Sequence, residues 1–415
     1  MSDFVKILIM NTYNTYNYGS MMMAENFISY LINHGLRADF YIENTTRDNL
    51  IRLKEATSYN NIFGDEMLSV DNLNSPNKLV KIKNKIVEQL KIGKVSFYDA
   101  AVILGGDTFS EVYSKNVGVY LQLRKIAKIN KKCKLYMVGQ TIGPYTGWRA
   151  KLATKVFSKV KLFSRDDTSR NYLKDSLNID AYSMRDLAFL DLNLQNDYDK
   201  NYQNILDKYN LTNGEYICVV GTGLANLYCE DSILFVNKFV EIINSIKERY
   251  SNKKLVWLSH VVTPKPDHSD NTMLELINNT KESFIDNNMV VINDPILPAE
   301  ARIILGHGYF TLTCRMHAAV STFQMGKPAI CLSYSPKYRG VIAEGLDMAD
   351  LVIESKGNEI WNGDIVKQVQ NKMNYIDSNY ANLQKKIKNN VESCKKIVSS
   401  NLDIIIKDMV SEKNE

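Results

Sequence analysis

The chain has 415 residues, of which 45% are hydrophobic and 23% charged, enough apolar material for full cores in two domains without disulfide or metal staples. A formal net charge of +5 is mild for this length; it suits anionic substrates or a membrane surface and does not demand nucleic acid, for which no zinc-finger, helix-turn-helix or RNP-like signature is present. No apolar run approaches the length that spans a bilayer, the N-terminus lacks a basic leader, and six scattered cysteines show no C-x-x-C pair, so the expectation is a cytoplasmic protein with buried free thiols. In chain order, short apolar runs alternate with helical segments. A first set comprises Val5–Met10, Ala38–Ile42, Ala100–Leu104, Lys134–Val138 and Val160–Phe163. A second comprises Tyr216–Val220, Lys254–Leu258, Met289–Ile292, Tyr309–Thr313 and Pro328–Leu332. Runs of this length ending in Gly, Asn, Ser or Asp predict βα repeats and parallel sheets.

The fold class is therefore α/β, with two Rossmann-like domains whose parallel sheets face a cleft, a glycosyltransferase-B-like architecture. The polar, Asn-rich stretch 191–213 is the expected boundary. Residues 1–195 form the N-terminal domain on the acceptor side, 205–355 the C-terminal domain on the donor side, and 356–415 closing helices, with Leu383, Ile387, Val391, Cys394 and Val398 on one face.

The stretch Tyr309–Gly340 gathers Arg315, His317, Lys337 and Arg339 around two buried strands. Ligands of parallel sheets bind at the carboxyl ends of strands, where Arg315 and His317 fall. Extended backbone would aim both side chains one way. Guanidinium groups suit carboxylate and phosphate, and an imidazole titrating near neutrality suits proton transfer. The competing reading is a structural Arg paired with an Asp and a histidine capping the next helix. Gly105 and Gly106 let backbone approach a ligand, and Asp107 beside them either orients a hydroxyl or caps a helix. Arg165 is a further candidate cation, and Asp186 reads as a structural partner of either Arg165 or Arg185.

Asn11, Tyr13, Tyr16, Asn17 and Tyr18 form a Tyr/Asn-rich loop suited to a sugar. Gln140, between Gly139 and Gly143–Pro144, reads as part of a rigid turn. His260, Asp267, His268 and Asp270 lack regular ligand spacing, so the preferred reading is a mobile loop lining the cleft, with His260 taken as substrate-binding, and no metal is expected. Gly221–Thr222–Gly223 lacks the third glycine of a dinucleotide fingerprint, and no cofactor is expected. His34 and His307 read as structural. The basic amphipathic segment Lys78–Lys94 reads first as core packing with a solvated Lys face and second as peripheral contact with the inner face of the cell membrane.

Several of these stretches together carry a resemblance. Asn17–Tyr18–Gly19–Ser20, Leu104–Gly105–Gly106–Asp107, Gly139–Gln140–Thr141–Ile142–Gly143–Pro144, Ser164–Arg165–Asp166 with Ser169, Asp186, and Arg315–Met316–His317–Ala318–Ala319–Val320 followed by Gly326–Lys327–Pro328 and Ser333–Tyr334–Ser335–Pro336–Lys337–Tyr338 resemble, in that order, the polysaccharide pyruvyltransferase family. Where that family commonly has a third small residue this chain has Asp107. The resemblance implies a transferase that moves the pyruvyl group of phosphoenolpyruvate onto two hydroxyls of a sugar in a cell-surface polysaccharide, such as a capsule or exopolysaccharide, or in its lipid-linked precursor. A cyclic ketal forms and phosphate leaves. Arg315, His317, Arg165 and Asp107 would be catalytic, and Lys337, Arg339, Asn17, Tyr18, Gly105, Gly106, Gln140 and His260 would bind substrate. A nucleotide-sugar glycosyltransferase of similar shape, with Glu344 toward the nucleoside, and a non-catalytic carbohydrate-binding protein remain the alternatives.

Overall fold

The computed structural model describes residues 4–12, 14–67, 84, 87, 91–111, 116–263, 269–280 and 284–411. Most of Lys78–Lys94, Tyr13, Asp267 and His268 therefore lie outside the described residues. The chain divides into two compact units: Met1–Thr15, Ser20–Leu187 and Lys396–Glu415 form one, and Tyr16–Gly19 with Ala188–Lys395 form the other.

The first unit is built on strands β1 (Val5–Met10), β2 (Ala38–Ile42), β3 (Ile62–Gly64), β4 (Ala100–Leu104), β5 (Lys134–Gln140), β6 (Lys161–Ser164) and β7 (Tyr182–Ser183). They lie in the order β3-β2-β1-β4-β5-β6-β7, all parallel, with Ile7 opposite Ala100 and Ala38 opposite Val5. Every residue of β4 is buried, as a strand covered by helices on both faces requires. One core includes Leu8, Ile103 and Met137 from the sheet and Val119, Leu123, Val156 and Phe157 from the helices beside it.

The second unit repeats the plan with β8 (Tyr216–Val220), β9 (Lys254–Leu258), β10 (Met289–Ile292), β11 (Thr311–Thr313), β12 (Ala329–Ser333) and β13 (Val352–Glu354), in the order β10-β9-β8-β11-β12-β13. These pairs are also all parallel. Each sheet reverses its winding once, between β1 and β4 and between β8 and β11. At such a reversal the following helices leave to opposite faces and open a crevice at the carboxyl ends of the strands. Asn11 and Gly105–Asp107 follow the first pair; Gly221–Gly223 and Cys314–Arg315 follow the second.

The division of the chain falls upstream of the polar stretch where the sequence placed it. Residues 191–213 are not a linker: they include the helices Gln195–Lys200 and Tyr202–Lys208 and belong to the second unit. Leu206 and Leu211 are buried there, and the fully buried Arg302 donates Nη1 to Gln195 Oε1 and to the Leu190 carbonyl. The expected closing helices are mainly one helix, Ile365–Ser411, and Leu383, Ile387, Val391, Cys394 and Val398 are its buried face as their spacing predicted.

Candidate functional site

In the second unit β11 ends at Thr313, whose hydroxyl accepts from the Arg315 backbone N–H. That turn stops the strand, and the helix Met316–Gln324 starts at once with Arg315 as its extended cap. Arg315 and His317 are thus not two residues of one extended segment, as the spacing suggested. Arg315 precedes the helix and His317 sits in its first turn. Both are half-buried. They are nonetheless linked through one segment: His317 packs against Gly19, Tyr18 N–H donates to the His260 carbonyl, and His260 N–H donates to the carboxylate that holds Arg315.

Asp270 organises the group. Arg315 donates Nε (2.8 Å) and Nη2 (2.6 Å) to its Oδ1. Oδ2 accepts the backbone N–H groups of His260 and Val261, both at 2.9 Å, and Gly223 N–H reaches Oδ1 at 3.3 Å. One fully buried carboxylate therefore ties together the chain after β8, β9 and β11. Burial disfavours the Arg315 charge, but the Asp270 carboxylate outweighs it and the guanidinium is held more firmly protonated than usual. The sequence placed Asp270 in a loop lining the cleft and disfavoured a metal there; it gave no sign of the pairing with Arg315. Among the described residues no three His, Cys, Asp or Glu side chains converge as a metal site.

The segment Tyr16–Gly19 is pinned beside this carboxylate. Asn17 bridges Val261 in antiparallel fashion, Tyr18 N–H donates to the His260 carbonyl, and Val262 N–H donates to that of Tyr16. The buried Tyr18 ring meets His260 edge-on, and its hydroxyl accepts from Ile296 N–H. Gly19 lies directly against the catalytic candidate: a Cβ there would come within 2.2 Å of His317 Nδ1. Glycine at 19 leaves the space that the imidazole fills. Asn17 and Tyr18, expected on the acceptor side of the first domain, belong to the second unit.

His260 is a core histidine rather than a substrate contact. Burial above all, then the charges of His317, Arg315 and Arg302, push its pKa well below the usual value, so it stays neutral. Lys337 donates to the Tyr334 hydroxyl at 2.7 Å, and the field of that phenol reaches Arg315. Tyr338 and Tyr228 both donate to the Cys314 carbonyl, bracing the end of β11. Arg339 departs from the expected cluster. Its side chain is 71% exposed and pairs with Glu344, because the short helix after Pro336 turns it away from Lys337. Glu344 is thereby engaged by Arg339.

In the first unit Asn11, Gly105, Gly106 and Asp107 stand at the carboxyl edge of the sheet. Gly105 and Gly106 have φ of +52° and +95°, and a Cβ on Gly105 would strike the Met23 sulfur at 2.1 Å. Asp107 is half-buried in the loop after β4. The other two candidates are structural. The Gln140 side chain is buried and donates to the Ile103 carbonyl. Arg165 is buried, with Nη1 on Asp186 Oδ2 at 2.8 Å and Nε on Thr141 Oγ1 at 3.0 Å. Adjacent Asp166 caps the helix Asp167–Leu177 by accepting from Ser169 N–H. This corrects the reading of Arg165 as catalytic. Its partner lies across the loop Gly139–Thr141, a pairing that encloses the guanidinium.

A family model described as polysaccharide pyruvyl transferase matches residues 17–336. The amylovoran biosynthesis protein AmsJ of Erwinia amylovora is 23% identical, with 94% of this chain and 96% of that protein covered. Among solved structures, UDP-GlcNAc 2-epimerase from Neisseria meningitidis bound to UDP-GlcNAc aligns with a TM-score of 0.60 at 12% identity over 98% of this chain and 100% of its own. The S. aureus MnaA–UDP structure aligns with a TM-score of 0.61 at 12% identity over 98% and 97%. Arabidopsis thaliana UGT89C1 complexed with quercetin aligns at 0.55 and 10% identity over 97% and 99%. At these identities the structural likenesses establish the fold, two parallel-sheet α/β domains of the glycosyltransferase-B-like kind.

Proposed function

The chain belongs to the polysaccharide pyruvyl transferase family, and from that membership we propose that it transfers the pyruvyl group of phosphoenolpyruvate to two hydroxyls of a sugar, in a polysaccharide or its lipid-linked precursor, forming a cyclic ketal. The observation that carries the reading is Arg315 at the carboxyl end of β11, gripped by Asp270, with His317 in the first turn of the helix that follows, both within the span the family model matches. A relative named for amylovoran biosynthesis supports a polysaccharide acceptor. No helix among the described residues is long and apolar enough to cross a membrane.

In this reaction the methylene carbon of the enol gains a proton and becomes the methyl group while a sugar hydroxyl gives up its proton and its oxygen bonds to the central carbon. The carbon–oxygen bond to phosphate then breaks, and phosphate leaves with the electron pair. A second hydroxyl closes the ring and gives up its proton. His317 is the group suited to move these protons; neutral His260 is not. Arg315, fixed by Asp270, and Lys337 stabilise carboxylate and leaving phosphate. Because Asp270 already balances Arg315, donor charge is met by fewer net cations than the sequence suggested.

Incubation with phosphoenolpyruvate and oligosaccharide acceptors, following phosphate release and product mass, tests the proposal. His317→Ala is expected to lower kcat about 10²–10⁴-fold. Arg315→Lys should lower it substantially, since an ammonium cannot copy the fork that grips Asp270. Turnover of a nucleotide sugar with phosphoenolpyruvate untouched, or full activity in both variants, would overturn it.

A further inference from the structure

From Asn116 to Ser164 the sequence holds eleven Lys and Arg and no Asp or Glu, in a chain whose whole formal charge is only +5. The structure gives this segregation a surface. The helices Val117–Ile129 and Gly147–Phe157, which follow β4 and β5, pack side by side in the first unit. Val119, Leu123 and Ile126 of one and Ala153, Val156 and Phe157 of the other face the core. The opposite faces therefore carry Arg124 on one and Lys151 and Lys155 on the other, all exposed.

At the starts of the same two helices three large apolar side chains are also exposed: Val117 (69%), Tyr120 (41%) and Trp148 (50%). Arg149 joins these starts, donating to Asn116 Oδ1 at 2.9 Å with its guanidinium 5.6 Å from the centre of the Trp148 ring. Each helix thus presents an apolar tip followed by a basic flank, and both tips lie at the carboxyl edge of the sheet, the edge that carries Gly105–Asp107.

We infer that this face docks on an anionic phospholipid surface, with Trp148, Tyr120 and Val117 entering the headgroup region and the basic flanks lying along it. Glu43, Glu111 and Asp408 engage Lys125, Arg149, Lys134 and Lys161, so the exposed Arg124, Lys151 and Lys155 carry the charge; an aromatic and aliphatic tip beside such cations is the chemistry that binds a bilayer interface, whereas a soluble polyanion would use the charges and leave the apolar tip unused. The surface differs from the Lys78–Lys94 segment singled out in the sequence. It deepens the proposed function by favouring a lipid-linked acceptor; vesicle binding itself rests only on the surface, so its failure and the failure of the transferase reading are separate results.

The test uses the full chain with vesicles of phosphatidylcholine alone and of equimolar phosphatidylcholine and phosphatidylglycerol. Of the three tryptophans, Trp257 and Trp361 are fully buried, so a change in emission reports on Trp148. Expected are co-sedimentation with the anionic vesicles only, a blue shift of Trp148, and a fall of about tenfold or more in partitioning for Lys151→Glu with Lys155→Glu. A comparable loss is expected for Tyr120→Ala with Trp148→Ala. Lys367→Glu with Lys385→Glu makes the same charge change on the exposed face of another helix and should leave partitioning nearly intact. No binding to anionic vesicles, equal loss in that control, or binding indifferent to the Tyr120 and Trp148 changes would overturn the inference.

Discussion

Gly19 and Asp270 hold the reactive candidates of the second unit in place, and neither does so through its own chemistry with a substrate. Asp270 neutralises Arg315 and accepts three backbone N–H groups, which keeps a half-buried guanidinium at a fixed angle. Such a pair costs desolvation of both ions, so its value lies in geometry more than in stability. Gly19 yields the volume that the His317 ring occupies. In Gly19→Ala the imidazole has to swing away from a Cβ 2.2 Å from Nδ1. Circular dichroism should show an intact fold while phosphate release falls about 10²-fold, the cost of a displacement near 1 Å in a reacting group. Wild-type turnover in this variant would detach Gly19 from the proposed chemistry. The Arg-x-His spacing was legible in the sequence because both residues follow a strong apolar run. The partners of those residues were not: Asp270 lies 45 positions from Arg315, and no local pattern links them. The sequence offered Asp186 as a partner for Arg165, and the folded chain adds that the pair is buried, which no local pattern encodes.

Elements follow the same division between local and distant causes. Tyr216–Val220, Lys254–Leu258 and Met289–Ile292 form strands with the predicted bounds, because each is a run of four or five mainly apolar residues bounded by polar chain. The edge strands Ile62–Gly64, Tyr182–Ser183 and Val352–Glu354 escaped notice. Each is two or three residues long and half-open, so it leaves little hydrophobic pattern. The loop after β4 shows how a charge joins elements. Glu111 accepts from Thr146 N–H and from Arg149 Nε, both at 2.6 Å, fastening that loop to the start of the helix Gly147–Phe157. The Arg149 hydrogen bond above all draws the Glu111 pKa down from 4.5 to about 2. A depressed carboxyl stabilises the fold fully above its unfolded pKa and loses that contribution as pH falls toward the folded value. Glu111→Gln should therefore melt below wild type at neutral pH, and the gap should close between pH 4.5 and about 2. A gap of constant size across that range would show that the ion pair adds nothing to stability.

On the scale of the whole molecule, chain order and spatial grouping part company twice. Tyr16–Gly19 belongs to the second unit although the flanking chain belongs to the first, and Lys396–Glu415 returns to the first. In that return Asp408 accepts from Tyr136 and Lys161 side chains and its carbonyl from Lys134, Asn401 donates to the Ser183 carbonyl, and Tyr30 donates to Asp403. A chain ending at Lys395 removes all of these. Its unfolding free energy in denaturant titration should fall by well over the roughly 1 kcal/mol of a typical point substitution, and an unchanged value would show the segment to be dispensable. The sequence alone determined two parallel α/β domains and where their inner strands fall along the chain, because buried apolar runs and the turns that end them act over a few residues. It also determined that Arg315 and His317 sit at a strand's carboxyl end. Only tertiary structure decided which cations converge, that Arg339 faces solvent, and which carboxylate holds Arg315. Those outcomes depend on side chains tens or hundreds of residues apart meeting at fixed distances, and no local periodicity encodes such meetings.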